Sequence, residues 1–304
     1  MALSAQSELK APEAHIWHET KSLMKLAWPV ILNRAGVFSL SVVDTIMVGQ
    51  YASTELAYLS VGQVTVGICI LLSIGLLIGT MVLSANHYGA GEYKQCGAVW
   101  WRSLPFAFFL GVAGLVVCLF AEPLLTFFKQ PSEIAENAGR ISIIFGLSLP
   151  LAAFSITTGF FLESINKVKP GMVIIIIANI LNILLNSVFI NGGLGVEPMG
   201  AEGSAWSTLI VRFVQLALTI GFVWTMRDWQ KYGVRTRPSL AWRHGKRQRE
   251  IGYAAGLSMG IENMAFNALI LFAGLISTTA IAGFSITFNL FAMCFMIGLG
   301  VGTA

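Results

Sequence analysis

Asp44 and Glu262 are the residues of this sequence best placed to hold or carry a cation, because both carboxyls fall well inside apolar segments. Placing a carboxyl at the centre of a hydrocarbon layer costs roughly 2.5–3.5 kcal/mol even on the milder scale, so such a group faces an interior or a cavity. Asn179, Asn182 and Asn186 recur at spacings of three and four, which sets three carboxamides on one helix face. Counted from the outer ends of their segments, Asn182 and Asn186 bracket the depth of Asp44, which lies ~7 Å along the helix from Gly49. One carboxylate and two amides then offer oxygen ligands for Na⁺, and a carboxyl taken out of water can carry a proton instead. For the asparagines alone, interhelical hydrogen-bond glue worth roughly 0.6–2 kcal/mol competes evenly with this reading. Asp44 at matching depth favours a site.

Three further residues belong to the same chemistry. Arg212 lies ~12 Å into its own segment, where it is a candidate to pair with Asp44 or to line the same cavity. Glu262 has Asn263 beside it and Asn267 about one turn on, which gives that segment a polar centre of its own. Trp, Phe and Met are abundant in the apolar segments and can line a pocket for apolar cations, although packing is the default for any one of them.

The elements that position these groups are membrane-spanning helices. Hydrophobic residues make up 56% of the 304, charged residues 11%, and the mean hydropathy is +0.74, above the roughly 45–50% apolar share of a soluble domain. Eight apolar runs approach the ~20 residues that cross a bilayer: 26–49, 59–85, 98–120, 141–162, 172–190, 204–226, 251–276 and 281–303. Pro29, Pro105 and Pro150 fall in or at the edge of spans and predict bends. The first residues carry no apolar core of a signal peptide, so the first span is expected to act as its own insertion signal.

Charge sets the orientation. Eight Lys and Arg lie between Arg227 and Arg249, and further lysines flank alternate loops, while the other loops carry mostly glutamates. The positive-inside rule therefore predicts a cytoplasmic N-terminus, with the basic loop as a topology signal rather than a nucleic-acid site. Cys69, Cys96, Cys118 and Cys294 lack the spacing of a zinc or disulfide framework. With no nucleotide-binding loop or hydrolase motif, the sequence predicts no enzyme and no cofactor, and an ion gradient as the energy source.

A long-range repeat organises the spans. Residues 74–80 read IGLLIGT and residues 297–303 read IGLGVGT, identical at five of seven positions at an offset of 223. The two copies lie an even number of spans apart, so the repeats are parallel. The expected fold is an all-α integral membrane bundle of two parallel six-helix lobes, with about eight transmembrane helices present. A cytoplasmic segment at 1–25 precedes a first lobe at 26–226, a basic loop at 227–250 and an incomplete second lobe at 251–304. A second lobe of equal length would bring the chain to roughly 450 residues, so truncation is expected.

The motifs AWPVIL, VVDTIMVGQ, GLLIGT, NHYGAGE, NKVKPGM, NILNILLN and GAEGSAWST, in this order, resemble the multidrug and toxic compound extrusion (MATE) transporters, with the NorM-like bacterial branch most similar. The resemblance implies a twelve-span fold with a central cavity that exports cationic organic compounds or drugs in exchange for Na⁺ or H⁺, as a monomer among membrane lipids. On it, Asp44 falls on the first lobe's carboxylate, Asn182 and Asn186 on polar positions of the fifth helix, and Glu262 on the second lobe's cation site. Leu40 stands where some proton-coupled members place a Tyr. A flippase for lipid-linked sugars and a non-transporting membrane scaffold are the alternatives.

Overall fold

The computed structural model describes residues 28, 32, 33, 35–193, 195–240 and 242–302, so Pro29 and the segment 1–25 lie outside the described residues. Its helices follow the expected spans in order. They are α1 (residues 35–51), α2 (Ser53–Gly89), α3 (Tyr93–Leu119), α4 (Ala121–Phe127), α5 (Ser132–Leu147), α6 (Leu149–Ser164), α7 (Val168–Asn191), α8 (Gly200–Thr225), α9 (Lys246–Gly274) and α10 (Thr278–Gly302). Among the described residues five are long and apolar enough to cross a membrane, or six when α5 and α6 are taken as one bent span. α1 and α10 occupy the positions of the other two expected spans. No strand occurs among the described residues, and the protein is a multi-pass helical membrane protein.

Two helices depart from the simple pattern for local reasons. The apolar run 59–85 becomes a helix of 37 residues, ~55 Å long, because nothing on its polar flanks breaks it until Gly91 at φ +77. The run 141–162 instead becomes α5 and α6, bent by 44° at Ser148. Pro150 sits in the first turn of α6, where its missing N–H costs nothing, and a Cβ added to Gly111 of α3 would strike the Pro150 backbone. Pro105, by contrast, is accommodated within an unbroken α3.

The interior is mostly apolar, and so is much of the surface. Phe108, Phe109, Val116, Val117, Ile180 and Leu184 are exposed, as suits surfaces that meet acyl chains. Small residues lie where helices cross. α2 makes its most extensive helix contact with α9, through Gly75 and Gly79 on one side and Gly252 and Gly256 on the other. A Cβ at Gly79 would strike the Gln248 carbonyl, and one at Gly252 the Leu76 carbonyl. At this crossing the buried Gln248 amide donates to the hydroxyls of Thr80, at 2.8 Å, and Ser103.

The basic loop is anchored rather than loose. Tyr232 and Val234 are buried with Cys96, Trp100, Phe161 and Met226. Trp101 donates its indole N–H to the Val234 carbonyl at 2.6 Å, and Lys167 pairs with Asp228 at 2.6 Å, which holds the Asp228 carboxyl below the usual carboxylate range.

The crossing generates a contrast within one helix. Gly79→Val is expected to destabilise the protein by about 1–3 kcal/mol through overpacking. Gly67→Val, where a side chain meets open space, should stay within about 0.5 kcal/mol of the parent. Thermal unfolding in detergent distinguishes the two.

Candidate functional site

Three helices converge on one carboxylate. Asp44 of α1 is 2% exposed, and Asn182 and Asn186 of α7 are fully buried. Asn182 Nδ2 donates to Asp44 Oδ1 at 3.1 Å, and Asn186 Nδ2 donates to the same oxygen at 2.7 Å. The hydroxyl of Thr208, on α8, donates to Asp44 Oδ2 at 3.0 Å. Asn186 Nδ2 also reaches Asn182 Oδ1 at 3.3 Å, while Asn186 Oδ1 is buried and has no hydrogen-bond partner.

These distances have an energetic meaning. Taking a carboxylate out of water costs several kcal/mol after relaxation, and a hydrogen bond to a charged group returns about 1.5–3 kcal/mol. Three donors therefore offset much of the burial cost without cancelling the charge. What they leave is a desolvated negative group with an unpaired amide oxygen beside it. Asp44 and the side-chain oxygens of Asn182, Asn186 and Thr208 form an all-oxygen donor set suited to a hard monovalent cation, or to a proton on Asp44 itself.

The remaining predicted residues occupy other places. The expected pairing of Arg212 with Asp44 is not made: neither a hydrogen bond nor an ion pair joins them. Asn182, Asn186 and Thr208 already hold the carboxylate oxygens, and Arg212 lies one turn past Thr208 on α8. Arg212 remains within electrostatic reach of Asp44, and its Nε is buried without a hydrogen-bond partner. Asn179 joins α7 to α1 instead, accepting from the Ser39 hydroxyl at 2.6 Å and donating to the Gly36 carbonyl at 2.9 Å. Asn267 of α9 is buried, whereas Glu262 on the same helix is exposed and makes no hydrogen bond or ion pair with the Asp44 cluster. An ionisable group exposed in the middle of a span has to meet water or further polar groups.

Sequence reasoning missed Thr208. The signal was available: Ser204, Thr208 and Arg212 recur every four residues on α8, and so share one face. It also missed Asn289 of α10, whose Nδ2 donates to Thr45 Oγ1 at 3.0 Å and whose Oδ1 accepts from the Ser41 hydroxyl at 3.4 Å. Both contacts fall within one turn of Asp44.

A buried carboxylate held between α1 and a paired-asparagine α7 lies wholly inside the stretch that a known family also matches, since the MatE family model covers residues 29–188. The chain belongs to the MatE family. A probable multidrug resistance protein NorM of Caulobacter vibrioides is 35% identical over 295 residues, 96% of this chain and 62% of that protein. The multidrug resistance protein PmpM of Pseudomonas aeruginosa is 26% identical over 292 residues, 94% of this chain and 60% of that protein. The MatE chain thus spans somewhat less than two thirds of these relatives' length. Among solved structures, the eukaryotic MATE transporter AtDTX14 superposes with a TM-score of 0.81 at 16% identity, covering 92% of this chain and 62% of that one. That likeness shows the fold.

Removing the α8 donor tests the geometry. Thr208→Val should cost about 1–3 kcal/mol of stability, because one carboxylate oxygen loses its donor, and Thr208→Ser should recover most of it. The check is thermal unfolding of the three proteins under one buffer.

Proposed function

We propose that this MatE chain belongs to a secondary active exporter that exchanges cationic organic compounds for Na⁺ or H⁺, with the exchanged cation held at Asp44, Asn182 and Asn186. The observation that carries the reading is the Asp44 carboxylate, buried and supplied with neutral donors but with no ion-paired cation of its own. A mobile monovalent cation completes that arrangement, whereas a fixed lysine or arginine salt bridge would have occupied it. Multidrug resistance in the names of two relatives supports drugs as the outgoing cargo.

The cycle follows from charge. An incoming cation neutralises Asp44 and draws the Asn182 and Asn186 carboxamides around it, tightening α1 against α7 and α8. Asn289 carries that movement to α10, because Ser41 and Thr45 bracket Asp44 on the same turn of α1. In the reading as two parallel lobes, α1–α8 form the first and α9 and α10 belong to the second, so this bond couples cation occupancy to the contact between lobes. One charge moving inward across 100 mV supplies ~2.3 kcal/mol, enough to bias such a cycle. Glu262 is the second lobe's cation candidate. The N-terminus and basic loop face the cytoplasm, and the complete transporter acts as a monomer in the inner membrane.

Dye export from vesicles, with Na⁺ and pH gradients imposed separately, tests the proposal. The parent protein should respond to one of the gradients, and Asp44→Asn should lose at least tenfold of the gradient-driven rate at equal membrane abundance. Undiminished gradient-driven export by Asp44→Asn would sink the assignment.

A further inference from the structure

Two cavities lie near Trp242, which lines one and packs on Phe109 of the other, and they differ in chemistry. One, of about 290 Å³, is lined by Trp101, Leu104, Phe108, Phe109, Phe154 and Leu240 and offers an apolar surface between α3 and α6. The other, of about 720 Å³, is lined by Trp242, Arg243, Lys246, Arg249, Glu250 and Tyr253. Three cations there face one carboxylate, and Glu250 engages Lys246 at 3.7 Å.

Trp242 is held from α3 and α9. The Trp242 ring meets Phe106 and Phe109 edge-on, at centroid distances of 6.0 and 6.4 Å. Arg249, 7% exposed, stacks over the ring at 3.8 Å and donates to the Trp242 carbonyl at 2.7 Å. Arg102 of α3 donates to the Ser239 carbonyl at 3.4 Å, which pins the incoming segment to the same helix. Arg249 is thereby committed to holding Trp242, while Arg243 and Lys246 stay exposed toward the cavity.

We propose that this is a binding site for an anionic phospholipid, with its phosphate headgroup on Arg243 and Lys246 and an acyl chain along the apolar cavity beyond Trp242. A topology signal requires only that basic residues stay on one side of the membrane. It does not require a tryptophan clamped by a buried arginine where a basic cavity adjoins an apolar one. Arg243 and Lys246 against the single Glu250 leave a net positive charge that selects an anionic headgroup over a zwitterionic one, and the apolar cavity selects an amphiphile over free phosphate. The site lies apart from Asp44 and stands whether or not the protein exports drugs.

Native mass spectrometry of the purified protein, given equal amounts of phosphatidylglycerol and phosphatidylcholine, tests it. The parent should retain phosphatidylglycerol in preference, and Arg243→Ala with Lys246→Ala should lower that retention roughly thirtyfold, at ~1 kcal/mol for each basic residue. The same charge removed from the same loop by Arg227→Ala with Lys231→Ala should leave retention within about threefold of the parent. Unfolding curves matching the parent's would show that both double variants are folded. Equal loss in the two double variants, equal retention of the two lipids, or displacement of the lipid by millimolar inorganic phosphate would overturn the proposal.

Discussion

A buried carboxylate is the constraint on which this arrangement depends. Asp44 can stay out of water because Asn182, Asn186 and Thr208 supply hydrogen bonds from two other helices, and losing any one of them raises the cost of burial. α1 is therefore held against α7 and α8 by polar contacts, and the same face continues through Ser39, Gly36 and Asn179. Between lipid-facing helices apolar contact discriminates poorly, because acyl chains are as apolar as leucine. Polar registration and close backbone approach take over that task.

α2 shows the second means. Its length exceeds any membrane thickness, and it touches α3, α5, α6, α9 and α10 along its course. Glycines let α9 come near enough for a Cβ at either partner to strike backbone, and Gln248 then closes the crossing with hydrogen bonds to Thr80 and Ser103. The glycines of IGLLIGT, first legible as half of a repeat, thus have a local packing role.

Much of the site was legible in the sequence because its signals were rare. An aspartate in an apolar run is costly, and three asparagines at helical spacing seldom share one face by accident, so depth alone paired Asp44 with Asn182 and Asn186. Thr208 was not legible in the same way. Hydroxyl residues in helices commonly bond the carbonyl four residues back, as Thr219 and Thr225 do here, so a threonine in a span says little about its partner. The spans were readable from hydropathy, and the bend at Pro150 from its chemistry. The extent of α2 was not, because its ends are polar and only the absence of a breaker lets them continue. In the basic loop the sequence signal is charge, whereas its fold rests on Tyr232 and Val234, two residues without a periodic neighbour to mark them.

If the Asp44 carboxyl itself takes up the exchanged cation, infrared difference spectroscopy will register the event on that carboxyl. Adding Na⁺, or lowering the pH in its absence, should shift or convert a buried carboxylate band in the parent protein, and the change should be missing from Asp44→Asn. A carboxyl band insensitive to both ions, or an identical response in Asp44→Asn, would mean that the cation is held elsewhere.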